Sequence, residues 1–146
     1  MTENKKIFLD TAPFIYFLDN NIVYAERMMR IFDQIITNGY SLVSSVLSAE
    51  EYLVHPMRTD NQQKAEVFFE FTEDYGIELI SISLEIAKKA ARIRAEFPFF
   101  KSMDALQLAV AVAMGCDLFL TNDKQLKQFH EIPCVTVDEW AFDGQK

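Results

Sequence analysis

At 146 residues, with 50% hydrophobic side chains and 13 phenylalanines, the chain has the length of one compact domain and ample apolar material for its core. A net charge of −8 excludes a protein that holds nucleic acid by bulk positive charge, because non-specific binding depends on Lys and Arg neutralising phosphates. No apolar run approaches the ~20 residues of a membrane span and no N-terminal stretch reads as a leader, so a soluble, cytoplasmic, single domain over residues 1–146 with no membrane association is expected.

In chain order, Ile7-Phe8-Leu9 reads as a buried strand, and Asp10-Thr11-Ala12-Pro13 as a helix entrance with proline pre-set for the first turn. Residues 22–38 carry apolar side chains near helical spacing (Ile22, Met28 or Met29, Phe32, Ile35, Ile36) and stop at Asn38-Gly39, a normal helix exit. Residues 40–45 follow as a second strand. Residues 45–54 read as a helix, with Ser48-Ala49-Glu50-Glu51 matching a capping box or first turn and His55-Pro56 ending it.

Residues 61–75 form a Phe-rich helix broken by Gly76. A third strand is expected over 77–82, then an Ala/Lys/Arg helix from about Leu84 to Glu96. Ser102 caps a helix over 103–114, Gly115 ends it, residues 117–120 are a fourth strand and 134–137 a short fifth. Strands alternating with helices predict a parallel sheet covered on both faces. Cys116 and Cys134 lack C-x-x-C spacing and sit in apolar surroundings, which favours reduced core thiols.

Acids stand where the apolar elements end: Asp10 after the first strand, Glu50 or Glu51 after the second, Asp104 at the start of an apolar helix, and Asp123 after the fourth strand. Ligands of open parallel sheets gather outside the carboxyl ends of the strands, so these acids can share one pocket. Each has a plain alternative. Asp10 can cap a helix, Asp104 can complement a helix dipole, and Asp123 can be a turn residue. Periodicity leaves Glu50 and Glu51 open. Jointly they are the ligand type that Mg²⁺ and Mn²⁺ prefer, in a number that suits hydrolysis assisted by two ions.

The segments Ile7-Phe8-Leu9-Asp10-Thr11, Val43-Ser44-Ser45-Val46-Leu47-Ser48-Ala49-Glu50, Met103-Asp104-Ala105-Leu106-Gln107-Leu108-Ala109 and Leu120-Thr121-Asn122-Asp123, taken in this order, resemble a PIN domain. That is the nuclease fold of the toxins of VapBC toxin–antitoxin pairs. The resemblance implies a three-layer α/β/α fold around a central five-stranded parallel sheet, and a Mg²⁺- or Mn²⁺-dependent endoribonuclease that hydrolyses RNA phosphodiesters with metal-activated water. It selects Asp10, Glu50, Asp104 and Asp123 as the catalytic, metal-holding acids. Thr11 and Thr121 would orient them, and Asn122 would face a water or the substrate. Its toxin members imply a cognate antitoxin and a homodimer as partners.

Lys88, Arg92, Lys101 and Lys124 are candidate RNA contacts, with a solvated helix face as the alternative for the first two and a Glu85–Lys89 ion pair expected beside them. Aromatic residues around Phe14–Tyr24 and Phe97–Phe100 read first as core, and His55 as structural. An aspartate phosphotransferase is disfavoured because Asp10-Thr11-Ala12 lacks a second acid. A dinucleotide site is disfavoured because the glycines never form G-x-G-x-x-G. The remaining rival is a non-catalytic scaffold of the same fold that binds RNA or a protein partner.

Overall fold

In a computed structural model that describes residues 5–142, the first apolar run becomes β1 (Lys6–Leu9), the middle strand of a five-stranded sheet ordered β3-β2-β1-β4-β5. The others are β2 (Ser41–Ser45), β3 (Glu78–Ile80), β4 (Leu118–Thr121) and β5 (Cys134–Thr136). Every neighbouring pair runs parallel. Six helices flank the sheet: α1 (Thr11–Leu18), α2 (Ala25–Thr37), α3 (Val46–Arg58), α4 (Gln62–Asp74), α5 (Leu84–Glu96) and α6 (Ser102–Ala113).

Alternation along the strands makes the layers, because successive side chains leave opposite faces of a sheet. Ile7 and Leu9 enter one core with Phe14, Ile31, Phe32 and Phe68, while Phe8 enters the other with Phe119, Ile93 and Leu108. Phe8 and Phe119 stack across β1 and β4 with ring centroids 5.0 Å apart. Helix α6, apolar nearly all round, buries Ala105, Leu108, Ala109, Val110 and Ala111, as a helix packed on several sides must. The three-layer α/β/α arrangement expected from the sequence is present.

Strand order creates the place where a site can form. The chain moves outward from β1 through β2 to β3, then returns to the other side of β1 with β4 and β5. Between β1 and β4 the connections diverge, leaving a crevice at their carboxyl ends. There the pairing extends one step past β1, Asp10 N–H donating to Leu120 O of β4 at 3.0 Å.

Several boundaries differ from the sequence reading. Helix α2 starts at Ala25 rather than residue 22, because Asn21 Oδ1 accepts from the amides of Val23 and Tyr24 and holds a turn there. Ile22 is consequently fully exposed. Helix α3 does not stop at His55-Pro56 but continues to Arg58 with Pro56 buried inside it. A proline this close to a C-terminus forfeits a single intrahelical bond, and Thr59 recovers the next, its amide and hydroxyl both donating to His55 O. Strand β3, at the edge, pairs only over Glu78–Ile80. Helix α2 leaves through Gly39 at φ 71°, with Tyr40 N–H reaching back to Ile35 O at 3.0 Å; glycine meets that left-handed demand without a Cβ penalty.

The segment after β5 is tied to α2, where Gln34 Nε2 donates to Ala141 O at 3.5 Å and the Arg30 guanidinium lies 4.3 Å from the Phe142 ring, and Arg27 makes the most bonds. Arg27 donates from Nε to Val137 O at 2.6 Å and from Nη2 to Asp138 O at 2.8 Å and Trp140 O at 3.2 Å, and its guanidinium lies 5.0 Å from the Phe142 ring. Bonds from a charged donor are worth about 1.5–3 kcal/mol. Arg27→Ala should therefore lower the free energy of urea unfolding by roughly that amount. Arg27→Lys should recover only part of it, because a point charge cannot reproduce the fork. Equal unfolding midpoints for wild type and Arg27→Ala would show that the clamp does not hold the C-terminal segment.

Candidate active site

Asp10 closes β1 and caps α1. Its Oδ1 accepts the Thr11 amide at 2.9 Å and its Oδ2 the Thr121 hydroxyl at 2.7 Å, so β1, α1 and β4 fix the carboxylate together. Burial raises its pKa from 3.8 to about 6. The bonds from Thr121 and Thr11 oppose that rise, and the charges of Asp104 and Glu51 add to it. The plain reading of Asp10 as a helix cap is therefore present too, but a cap alone does not explain a carboxylate sunk among like charges.

Thr121 is buried and uses its hydroxyl twice, donating to Asp10 and accepting the Asp123 amide at 3.1 Å. Asp123 caps the 3₁₀ turn Lys124–Gln128, its Oδ1 accepting the Gln125 amide at 3.0 Å. Asp104 sits in the first turn of α6. Its pKa is raised, first by burial, then by the charge of Asp123, with Lys101 opposing and Glu51 adding. Charge coupling thus runs from Asp10 to Asp104 and from Asp104 to Asp123.

The fourth acid of this set is Glu51, not Glu50. Thr11 Oγ1 donates to Glu51 Oε1 at 2.7 Å, and the charge of Glu51 acts on both Asp10 and Asp104. Both glutamates are exposed, and Glu50 makes no such contact. The reason is helical phase. Side chains three and four residues apart share a helix face whereas neighbours do not, and the inward face of α3 is marked by buried Ser48 and Tyr52. Glu51, three residues after Ser48, follows that face. A small polar residue at Ser48 was the signal available in the sequence, and it was read there as part of a cap. The cap of α3 is Ser45, whose hydroxyl accepts the Leu47 amide.

Thr11 contacts Asp10 through its amide and Glu51 through its hydroxyl, and Thr121 contacts Asp10 and the Asp123 amide. Asn122 turns its amide to the Tyr16 hydroxyl, a partner the sequence did not suggest. Lys101, Arg92 and Lys124 are all exposed, and Lys101 lies close enough for its charge to act on Asp104. Lys88 pairs with Glu85 at 3.5 Å and Lys89 with Glu131 at 2.6 Å, so the expected Glu85–Lys89 pair is not formed: the loop after the 3₁₀ turn offers Lys89 a nearer carboxylate. Both cysteines are free thiols, and burial raises Cys116 to about 11 and Cys134 to about 12.

Asp10, Glu51, Asp104 and Asp123 come from four separate elements, and among the described residues none is ion-paired with Lys, Arg or His. An all-oxygen anionic donor set of this kind fits a hard divalent cation. As the side chains stand, no group of three or more among the described residues is gathered tightly enough to enclose an ion, the spacing that mutual repulsion favours.

Burial of Asp10 has a pH consequence. Between about pH 4 and 6 the folded protein keeps a proton on Asp10 that the unfolded chain has released, so this contribution to stability is full below pH 4 and is lost as pH rises through 6. The shift corresponds to roughly 3 kcal/mol. In chelator, unfolding free energy should therefore fall from pH 4 to 7 in wild type relative to Asp10→Asn. Parallel profiles for the two proteins would show that the carboxyl group is not held by burial.

A family model described as PIN domain matches residues 7–132. No curated protein matches the chain. Among solved structures, VapBC2 from Rickettsia felis, bound to a promoter DNA fragment, superposes with TM-score 0.74 at 13% identity over 90% of this chain and 98% of that one. DNA-bound VapBC from Salmonella typhimurium gives 0.67 at 17%, over 91% and 98%. VapC20 from Mycobacterium tuberculosis, a Sarcin-Ricin loop cleaving toxin, gives 0.64 at 14%, over 87% and 98%. At such identities the likeness is one of fold. Among the described residues no helix is long and apolar enough to cross a membrane.

Proposed function

The chain belongs to the PIN domain family, and from that membership we propose that it is a metal-dependent endoribonuclease of the VapC toxin type. The observation that carries this reading is the set of four acids at the β1–β4 crevice, where the charge of Glu51 acts on Asp10 and Asp104 and that of Asp123 on Asp104, with no basic ion-pair partner among the described residues. A non-catalytic scaffold gains nothing from a buried carboxylate and three neighbouring ones, since an unpaired charge in a core is costly. Fold likeness to VapBC complexes supports a cognate antitoxin as partner. The cleaving activity named for VapC20 supports RNA as substrate.

Asp10, Glu51, Asp104 and Asp123 are the residues that would hold Mg²⁺ or Mn²⁺. When bound, such an ion supplies Lewis acidity at a phosphoryl oxygen and makes water a competent nucleophile at neutral pH. The chain's own contribution is orientation. Thr121 and the Thr11 amide aim the two oxygens of Asp10, the Thr11 hydroxyl holds one oxygen of Glu51, and the turn at Thr121 fixes Asp123. Lys101 adds a positive charge beside Asp104 where a phosphodiester would approach. A homodimer is part of the proposal, supported by the exposed apolar side chains Met57, Val67 and Phe69 on α3 and α4.

Calorimetric titration with Mn²⁺ tests the site without knowledge of the RNA. Wild type should bind saturably, Asp104→Asn should not, Glu51→Gln should bind at least about tenfold more weakly, and Glu50→Gln should match wild type. Loss on Glu50→Gln with Glu51→Gln unaffected would overturn the assignment, and no uptake by wild type would favour a scaffold. Once a substrate RNA is found, Asp104→Asn should slow cleavage by about a hundredfold or more, the scale of losing a group that acts in the transition state.

A further inference from the structure

Beneath Glu51 lies a buried polar chain that starts on the helix bearing Asp104. Gln107, one turn further along α6, is 1% exposed on an otherwise apolar stretch. Its Oε1 accepts from the Ser45 hydroxyl, and its Nε2 donates to Ser48 Oγ at 2.8 Å. Ser45 Oγ also accepts the Leu47 amide at 3.1 Å as the cap of α3. The Ser45 proton goes to Gln107 Oε1, and the Gln107 amide nitrogen goes to Ser48, three residues before Glu51 on the same helix.

Ser48 Oγ lies 2.9 Å from Ser44 Oγ and 3.3 Å from Thr11 Oγ1. Thr11 places its hydroxyl proton on Glu51 Oε1 at 2.7 Å, so Thr11 holds the acid directly while Gln107 holds Ser48, three residues before that acid on α3. Ser44 donates to Leu9 O at 2.7 Å and, through its contact with Ser48, ties the same cluster to β1. Ser44, Ser45 and Ser48 are fully buried, so water cannot stand in for a missing partner.

We propose that Gln107 is a positioning residue for the candidate active site: by bonding Ser45 and Ser48 it fixes the rotational phase of α3, and with it the Glu51 carboxylate that Thr11 holds, at the rim on which the helix of Gln107 presents Asp104. The use made of the held carboxylate rests on the nuclease reading; the bonded cluster is a property of the protein alone. Buried hydrogen-bonded groups fix one another's geometry, so removing the Gln107 amide loosens the contact of Thr11 with Glu51. The sequence Asp104-Ala105-Leu106-Gln107 thus carries two roles, an acid that faces the crevice and an amide that steadies the acid opposite.

Two measurements on Gln107→Met, which keeps the volume of the side chain, test the proposal. In NMR spectra of the protein in chelator, the Thr11 hydroxyl proton should exchange slowly in wild type and lose that protection in the variant, with the amide spectrum still folded. By calorimetry, Mn²⁺ affinity should fall about tenfold, and Gln107→Met combined with Thr11→Val should bind no more weakly than the weaker single variant, because both release the same carboxylate. A folded Gln107→Met that keeps the protected proton and wild-type affinity overturns the proposal. So do losses that simply multiply in the double variant, the mark of a general structural defect. Wild type that takes up no Mn²⁺ refutes the metal reading while the hydroxyl proton still decides the positioning role. Should Gln107→Met fail to fold, Ser48→Ala removes the hydroxyl that Gln107 holds and is read by the same two measurements.

Discussion

A carboxylate at the carboxyl end of the central strand governs the architecture of this molecule. Asp10 is reached from both sides, by the Thr11 amide as α1 begins and by the Thr121 hydroxyl as β4 ends. Those bonds lower the cost of the charged form, but burial still wins and the pKa settles near 6. The cation proposed for this site would complete that balance. The other acids converge on the same edge: Glu51 enters from α3, Asp104 from α6 and Asp123 from the turn after β4.

The fold makes this convergence possible because parallel strands all end on one edge and the strand order diverges beside β1. Apolar packing on the two faces supplies rigidity, with Phe8 and Phe119 stacked on one side and the Phe14, Phe32, Phe68 and Phe71 cluster on the other. Under the rim the core changes character. Ser44, Ser45, Ser48, Thr11, Gln107 and Thr121 are all buried and hydrogen-bonded. A buried polar network specifies geometry when every member is satisfied, and here it lies directly behind the acids. Net charge works the other way. At −8 the surface offers nucleic acid little general attraction, so the RNA binding proposed for this chain rests on local groups, the acids and Lys101.

Sequence and structure agree where local chemistry decides. Alternating apolar runs, turn residues and caps were enough for the strand and helix order, for α4 and α5 nearly to the residue, and for Asp10, Asp104 and Asp123 at element boundaries. They failed where a longer-range partner decides. Pro56 reads as a stop, yet it is carried inside α3 because its ring is buried and only one backbone bond is lost. Ile22 reads as the start of a helix face, yet the side chain of Asn21 holds the preceding turn.

The choice between Glu50 and Glu51 shows the boundary most clearly. Composition and periodicity determined that an acid would follow β2 in a helix, and that an α/β sheet would gather acids at one edge. Which of two adjacent carboxylates faces that edge depends on the rotational phase of α3, and that phase is set by Ser48 packing against Gln107 and Thr11, residues 59 and 37 positions away. Neighbouring helical side chains point about 100° apart, so a local pattern tolerates either. Only the tertiary contact, made across two other elements, selects one.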